Sequence, residues 1–391
     1  MKRSHLYLLI LILIPFYSCA KIEKSDEGVM TEFNVGFDNT PALQGLYIDV
    51  ETNKEELFFV KDSPSPKILF FDIESGLISD SIDLSQLAVE FENIDKVSIR
   101  NKDSIIAITK KPNKIIGFDR ECTLHFKHNV AEVLKHEESV YHLYGSMLPT
   151  DIRFGNSLIL GSEWQKKRDT KAHKTEHDQH IDHFRGYCKS ARLAKVNNIY
   201  TDAPHVSFGL QEYYTQLVSP TINPYYEYSN FYLINKEEII YSNYYNRNVY
   251  KIDSQTLDTE DWKQIIPKST EILTSLKFKG SIDPNDRILE RENRKKSPYI
   301  ANVLYSNTKE EYYFLVKTAE DFSIESELGY PFYIAIYDKD LEYKREIVVK
   351  SDQFKPQGAI MTSKGLLIEK INLEADKNRG FVLFDMKEPE K

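Results

Sequence analysis

The chain has little cysteine: Cys19, Cys122 and Cys188 are its three in 391 residues. None of them stands in the paired spacing of a structural zinc site. It has no excess of positive charge either, with 51 basic against 60 acidic side chains and a formal net charge of −9. That balance excludes a strongly basic nucleic-acid binder. No phosphate-cradling glycine loop, nucleophile elbow or protease helix motif occurs, so the chemistries those motifs carry find no support. Long apolar runs are also missing. The one such run, Leu6–Phe16, falls short of the roughly 20 residues that a membrane-spanning helix needs.

What is present describes a folded body. Hydrophobic residues make up 41% and charged residues 28%, a mixture that belongs neither to a disordered chain nor to a multispan membrane protein. The 25 Tyr and 21 Phe, alongside many Ile, Val and Thr, lean toward strands. The length allows two ordinary domains or one large β domain.

Lys2 and Arg3 precede the apolar run, which has the length of a signal-peptide core and closes on Ser18 and Cys19. A small residue before a cysteine, with polar mixed charge after it, is where a bacterial lipoprotein is cut and lipidated. Residues 1–18 therefore read as a lipoprotein signal peptide, 19–30 as a polar tether, and 31–391 as the mature domain. Cys19 would carry diacylglycerol and a palmitate-type N-acyl chain, each buried methylene contributing about 0.8 kcal/mol to membrane attachment. The competing reading is a plain secretory leader with an incidental cysteine. Phe16 and Tyr17 stand where the strict lipobox has an aliphatic and then a small residue. This resembles the looser lipobox of Bacteroidota lipoproteins, and it implies a cell-envelope location at the outer membrane. Cys122 and Cys188 could pair there or stay as buried thiols.

A repeat runs through the rest of the chain. An apolar strand ending in Asp recurs as KILFFD, KIIGFD, NVYKID, YIAIYD and GFVLFD, with a divergent copy, ARLAKV, that ends in Val196. Each Asp is suited to start a turn, because its side chain accepts from backbone N–H groups two residues on. A second strand precedes each copy, as in Leu57–Lys61, Ser104–Thr109, Glu238–Asn243 and Tyr312–Lys317. Each unit then reads as a four-stranded antiparallel meander. Six units fit the chain, and packing them radially would bury both faces of every meander. The expectation is an all-β, six-bladed propeller, closed by the strand near Thr31. Two β-sandwich domains are the alternative. With the leader ending at Cys19, the pattern resembles the uncharacterised six-bladed β-propeller lipoproteins of Bacteroidota, including a family known as a domain of unknown function. That resemblance implies a fold and a location but no catalytic residues.

Two segments stand out as candidate ligand sites. Residues 164–187 hold His173, His177, His180 and His183 among Glu176, Asp178 and Asp182. On a helix the first three would share a face at i, i+4 and i+7, close enough to hold a metal ion such as zinc at about 2.0–2.1 Å. Residues 211–232 include Tyr213, Tyr214, Tyr225 and Tyr226, with Pro220 and Pro224 setting turns. Such rings can stack on a sugar or a peptide, or pack between blades. A solvated loop is the plain alternative for the histidines.

These residues favour an envelope lipoprotein whose propeller binds a ligand or partner protein, without a cofactor. A propeller lyase or hydrolase acting on envelope glycans is the second reading, and a structural subunit of an envelope complex the third. No nucleic acid is implied.

Overall fold

In the computed structural model, the described residues are 30–36, 42–49, 52–61, 66–88, 94–110, 113–133, 135–136, 139–142, 156–161, 163–166, 193–202, 204–209, 229–233, 238–243, 248–264, 299–317, 331–349, 353–370, 378–384 and 386. No helix among them is long and apolar enough to cross a membrane.

Strand β1 (Met30–Gly36) comes first. The first blade is β2 (Ala42–Ile48), β3 (Glu55–Lys61), β4 (Lys67–Asp72) and β5 (Ile78–Asp83). The second is β6 (Ile94–Asn101), β7 (Ser104–Lys110), β8 (Asn113–Phe118) and β9 (Leu124–Asn129). Short strands β10 (Lys135–His136), β11 (Ser139–His142), β12 (Leu158–Gly161), β13 (Glu163–Lys166), β14 (Leu193–Asn197) and β15 (His205–Gly209) follow. The third blade is β16 (Ser229–Leu233), β17 (Glu238–Asn243), β18 (Asn248–Asp253) and β19 (Thr259–Gln264). The fourth is β20 (Tyr299–Ser306), β21 (Glu311–Lys317), β22 (Phe332–Asp338) and β23 (Tyr343–Val349). The closing blade joins β24 (Phe354–Thr362), β25 (Gly365–Lys370) and β26 (Asn378–Phe384) to β1, in the order β1-β26-β25-β24.

Every pairing is antiparallel, and β1 runs beside β26 with Met30 opposite Phe384 and Gly36 opposite Asn378. The strand expected near Thr31 thus ties the start of the ring to its end. Second strands are buried along their length, five consecutive residues in Glu55–Lys61 and all seven in Glu311–Lys317. A continuous apolar run demands cover on both faces, and neighbouring sheets supply it. Phe58, Val60 and Phe70 pack with Ile105 and Ile116 of the second blade, and Phe59 and Phe71 pack with Leu367 and Phe381 of the closing blade. First strands lie innermost, with β2 against β6 and β24, and β20 against β16 and β24. The core is a ring of interfaces between sheets.

The propeller is therefore present, but the described residues form five four-stranded blades rather than the six expected. The divergent unit forms a three-stranded sheet in the order β12-β14-β15. Chain ahead of β12 that could have given an innermost strand is engaged elsewhere, since β11 pairs with β10 and β13 in a second three-stranded sheet, Tyr141 opposite Trp164. Trp164, the first residue of the histidine-bearing segment, thus stands in a strand. The three-stranded sheet still packs in the ring, with Leu158, Leu160, Ala194 and Val196 against Ile106, Ile108 and Phe126 of the second blade.

Candidate functional site: the two ends of the ring

The hairpins between first and second strands and the Asp turns between third and fourth strands all lie at one end of the ring, the turn end. Asp72 accepts from the N–H groups of Glu74 and Ser75 at 2.9 and 2.8 Å, Asp253 from Gln255 and Thr256 at 2.7 Å each, and Asp338 from Asp340 and Glu342 at 2.9 Å each. Each turn then needs one left-handed residue. Gly76 supplies it at φ 67°, a conformation glycine adopts without Cβ strain. Cys122, Leu257 and Leu341 adopt it at φ 63°, 61° and 60° in the other three turns, and their burial anchors the loops. Cys122 is a free, buried thiol whose Sγ donates to the Asp83 carbonyl at 3.1 Å. In the divergent sheet, Asn197 and Asn198 take over the turn that Val196 cannot make, with Asn198 at φ 53°.

The same end is crossed by polar links between sheets. Lys102 Nζ sits 3.1 Å from Glu56 Oε2 and 2.9 Å from Asp80 Oδ2, above the Phe70 ring at 4.6 Å, and Arg120 reaches Asp80 at 2.8 Å. Arg100 donates to the Ser157 carbonyl at 2.8 Å, and His128, toward the other end of β9, donates from Nε2 to the Ile199 carbonyl at 2.6 Å. Lys195 donates to the backbone and side chain of Gln255 at 3.1 and 3.0 Å. Lys251 donates to the Lys339 carbonyl at 3.0 Å, and Tyr312 to Glu238 at 3.0 Å. Lys309 and Arg345 donate to the Met386 carbonyl, while Asn302, away from the turns, donates to the carbonyls of Pro356, Gln357 and Ala359. Ser363 N–H donates to Glu55 at 2.7 Å and Lys364 to Glu74 at 2.6 Å.

These contacts perturb the groups they join. Asp72 is held down to about 2, first by the Ser75 N–H and also by the Lys54 ammonium, against a burial effect that pushes up. At Asp80 and Glu311 burial raises the carboxyl, and bonds to Lys102 and to Lys344 and Tyr313 more than reverse it. Burial first, then Glu238, pushes the Tyr312 phenol up. The cations here reach carboxylates or backbone carbonyls of the neighbouring sheet, an arrangement that fastens one sheet to the next.

The opposite, open end is built differently. Gly161 pairs with Leu193 and Leu193 with Gly209. The chain segments 162–192 and 210–228 therefore leave from one edge of the three-stranded sheet. Ser229 pairs with Asn243 and Tyr299 with Lys317, which pairs with Phe332, so 265–298 and 318–330 also connect strand ends on this side. Four second strands end here in lysine: Lys61, Lys110, Lys317 and Lys370. Lys317 is buried, and burial brings its amine down to about 8.

Cys19, His173, His177, His180, Tyr213, Tyr214, Tyr225, Tyr226 and Cys188 all lie outside the described residues. Among the described residues no group of three or more His, Cys, Asp and Glu is placed to hold a metal ion. Sequence reasoning missed the cross-sheet lysines and their carboxylates. Its one available signal was the acidic residue opening second strands, as in Glu55, Glu56, Glu238 and Glu311.

No family model matches the chain, and no curated protein matches its sequence. Its fold is similar to that of a member of the DUF4221 family from Bacteroides vulgatus, at 14% identity and a TM-score of 0.66, covering 92% of this chain and 99% of that one. A Bacteroides fragilis protein described as exported aligns at 8% identity and a TM-score of 0.46, over 93% and 97% of the two chains. A virginiamycin B lyase from Staphylococcus aureus aligns at 10% identity and a TM-score of 0.39, over 91% and 100%. The resemblance to Bacteroidota propellers of uncharacterised function holds at the level of fold.

Proposed function

We propose that the protein is an envelope lipoprotein, anchored at the outer membrane through Cys19, whose propeller holds a ligand or partner protein at its open end. The observation that carries the reading is the difference between the ends. Short turns occupy one, while the longest connections depart from the other, where four second strands end in lysine. Propeller ligands bind where connections from several sheets converge. Lysine ammonium groups there favour acidic groups, as on an envelope glycan or an acidic stretch of a partner.

Anchoring is tested by metabolic labelling with a palmitate analogue: Cys19→Ser is expected to lose the label and leave the membrane fraction. Retention of the variant at high salt would remove the anchor. Binding is tested by capture from solubilised envelopes, comparing Lys61→Glu and Lys370→Glu with Lys339→Glu in a turn. Loss of the same captured species in the first two, and not in the third, is the expected result.

A further inference from the structure

Strand β1 enters the ring at the turn end. Met30 lies opposite Phe384, which lies opposite Leu366, one residue beyond the hairpin that pairs Thr362 with Gly365. Cys19 precedes Met30 by eleven positions. Fully extended, that stretch reaches at most about 40 Å, and it leaves the ring from this end.

The large apolar side chains most exposed among the described residues lie at the same end. They are Leu77 at 69%, Ile78 at 55%, Ile48 at 48% and Tyr200 at 44%. Leu77 and Ile78 belong to the Asp72 turn, Ile48 leads into the hairpin before β3, and Tyr200 sits between β14 and β15. The Lys364–Glu74 contact sets the Asp72 turn beside the closing blade, to which β1 belongs. Leu77 and Ile78 are therefore on the side from which the tether departs.

Resting on the lipoprotein reading, we propose that the turn end is the membrane-facing side of the anchored protein. Leu77 and Ile78 seat among the lipid headgroups, and the open end points away from the bilayer. A lipid surface is the occupant because the chain outside the structure ends, on that reading, in acyl chains within reach of this patch. The carboxylates of the same turn, Asp72 and Glu74, are bridged by Lys54 and Lys364, so the contact is carried by apolar burial rather than by headgroup charge.

The test uses full-length lipidated protein, with Cys122 and Cys188 changed to Ala and an environment-sensitive fluorophore on either Leu77→Cys or Lys61→Cys. The protein is reconstituted on phosphatidylcholine vesicles carrying nitroxide-labelled lipid. Flotation reads the anchor, and quenching reads the orientation. The expected result is co-flotation of both variants and several-fold stronger quenching at position 77 than at 61. Co-flotation with equal quenching, or with stronger quenching at 61, overturns the orientation alone. Protein that fails to float overturns the anchor and the orientation with it.

Discussion

The two ends of this ring are made from the same strands yet do different work. At the turn end, connections are a few residues long, Asp side chains fold them, and cations of one sheet reach acceptors of the next around the ring. At the open end second strands finish in Lys61, Lys110, Lys317 and Lys370, and four of the connections, 162–192, 210–228, 265–298 and 318–330, are long. On the proposed reading, the difference divides stability from recognition. A ring of sheets needs fastening at its interfaces, and one fastened end leaves the other free to vary in sequence.

The largest expected effect comes from breaking a fastening. Lys102 is shared by Glu56, which is buried, and Asp80. Lys102→Ala would leave the buried Glu56 carboxylate with Lys54 at 3.4 Å and without its inter-blade cation, at a cost of roughly 2 to 3 kcal/mol. Denaturant unfolding should show the loss as a lower midpoint at an unchanged slope. A loss below about 0.5 kcal/mol would mean that the turn end does not hold the ring.

Gly117 tests the packing behind the same end. An added Cβ would stand 2.1 Å from a ring carbon of Phe126, whose ring stacks on His128 and meets Tyr200 edge-on, both at 5.3 Å between centroids. Gly117→Ala should therefore cost about 2 kcal/mol through overpacking. Gly117→Ala combined with Phe126→Leu should recover part of that loss, and absence of any recovery would argue against the contact.

The Asp turns were legible in the sequence because their physics is local: an apolar strand with an acceptor at its end announces both strand and turn. Burial of the second strands followed equally from their unbroken apolar runs. The divergent unit misled because its turn moved one residue on, from Val196 to Asn197 and Asn198, and because β11 found other partners. The inter-sheet bonds were out of reach. Glu55 and Ser363 are 308 positions apart, and no pattern along the chain pairs them before the ring is closed. The proposed histidine and tyrosine sites lie in the long connections, where composition suggests chemistry but no strand period fixes which side chains meet.

Acid and alkali should separate the ends by sign. Asp72 binds its proton more weakly when folded, at about 2, than in an unfolded chain, at about 3.9. Its contribution is complete above the unfolded value and is lost as pH falls from about 4 to 2. Lys317, at the open end, is brought down to about 8 by burial, against about 10.4 unfolded. The unfolded chain then holds more protons in that window, so stability rises as pH climbs from about 8 to 10.4. In thermal unfolding across pH, Asp72→Asn should shallow the acid limb, which Asp80, Asp253 and Glu311 share. Lys317→Met should flatten the alkaline limb. A limb that keeps its slope in its own variant removes that group from the argument.

The smallest effect is the one that most sharpens the comparison. Lys61 closes the second strand of the first blade at the open end, partly exposed beside Lys67 across the β3–β4 pair. Two like charges opposite one another on neighbouring strands repel weakly, and a partly exposed lysine stem adds little packing. Lys61→Ala should change stability by less than about 0.5 kcal/mol, the range of ordinary surface substitutions. Lys102→Ala carries the same change of charge at the other end and should cost several times more. If Lys61→Ala lost as much as Lys102→Ala in denaturant unfolding, the two ends would be fastened alike, and the open end would have no special claim to be the surface left for binding.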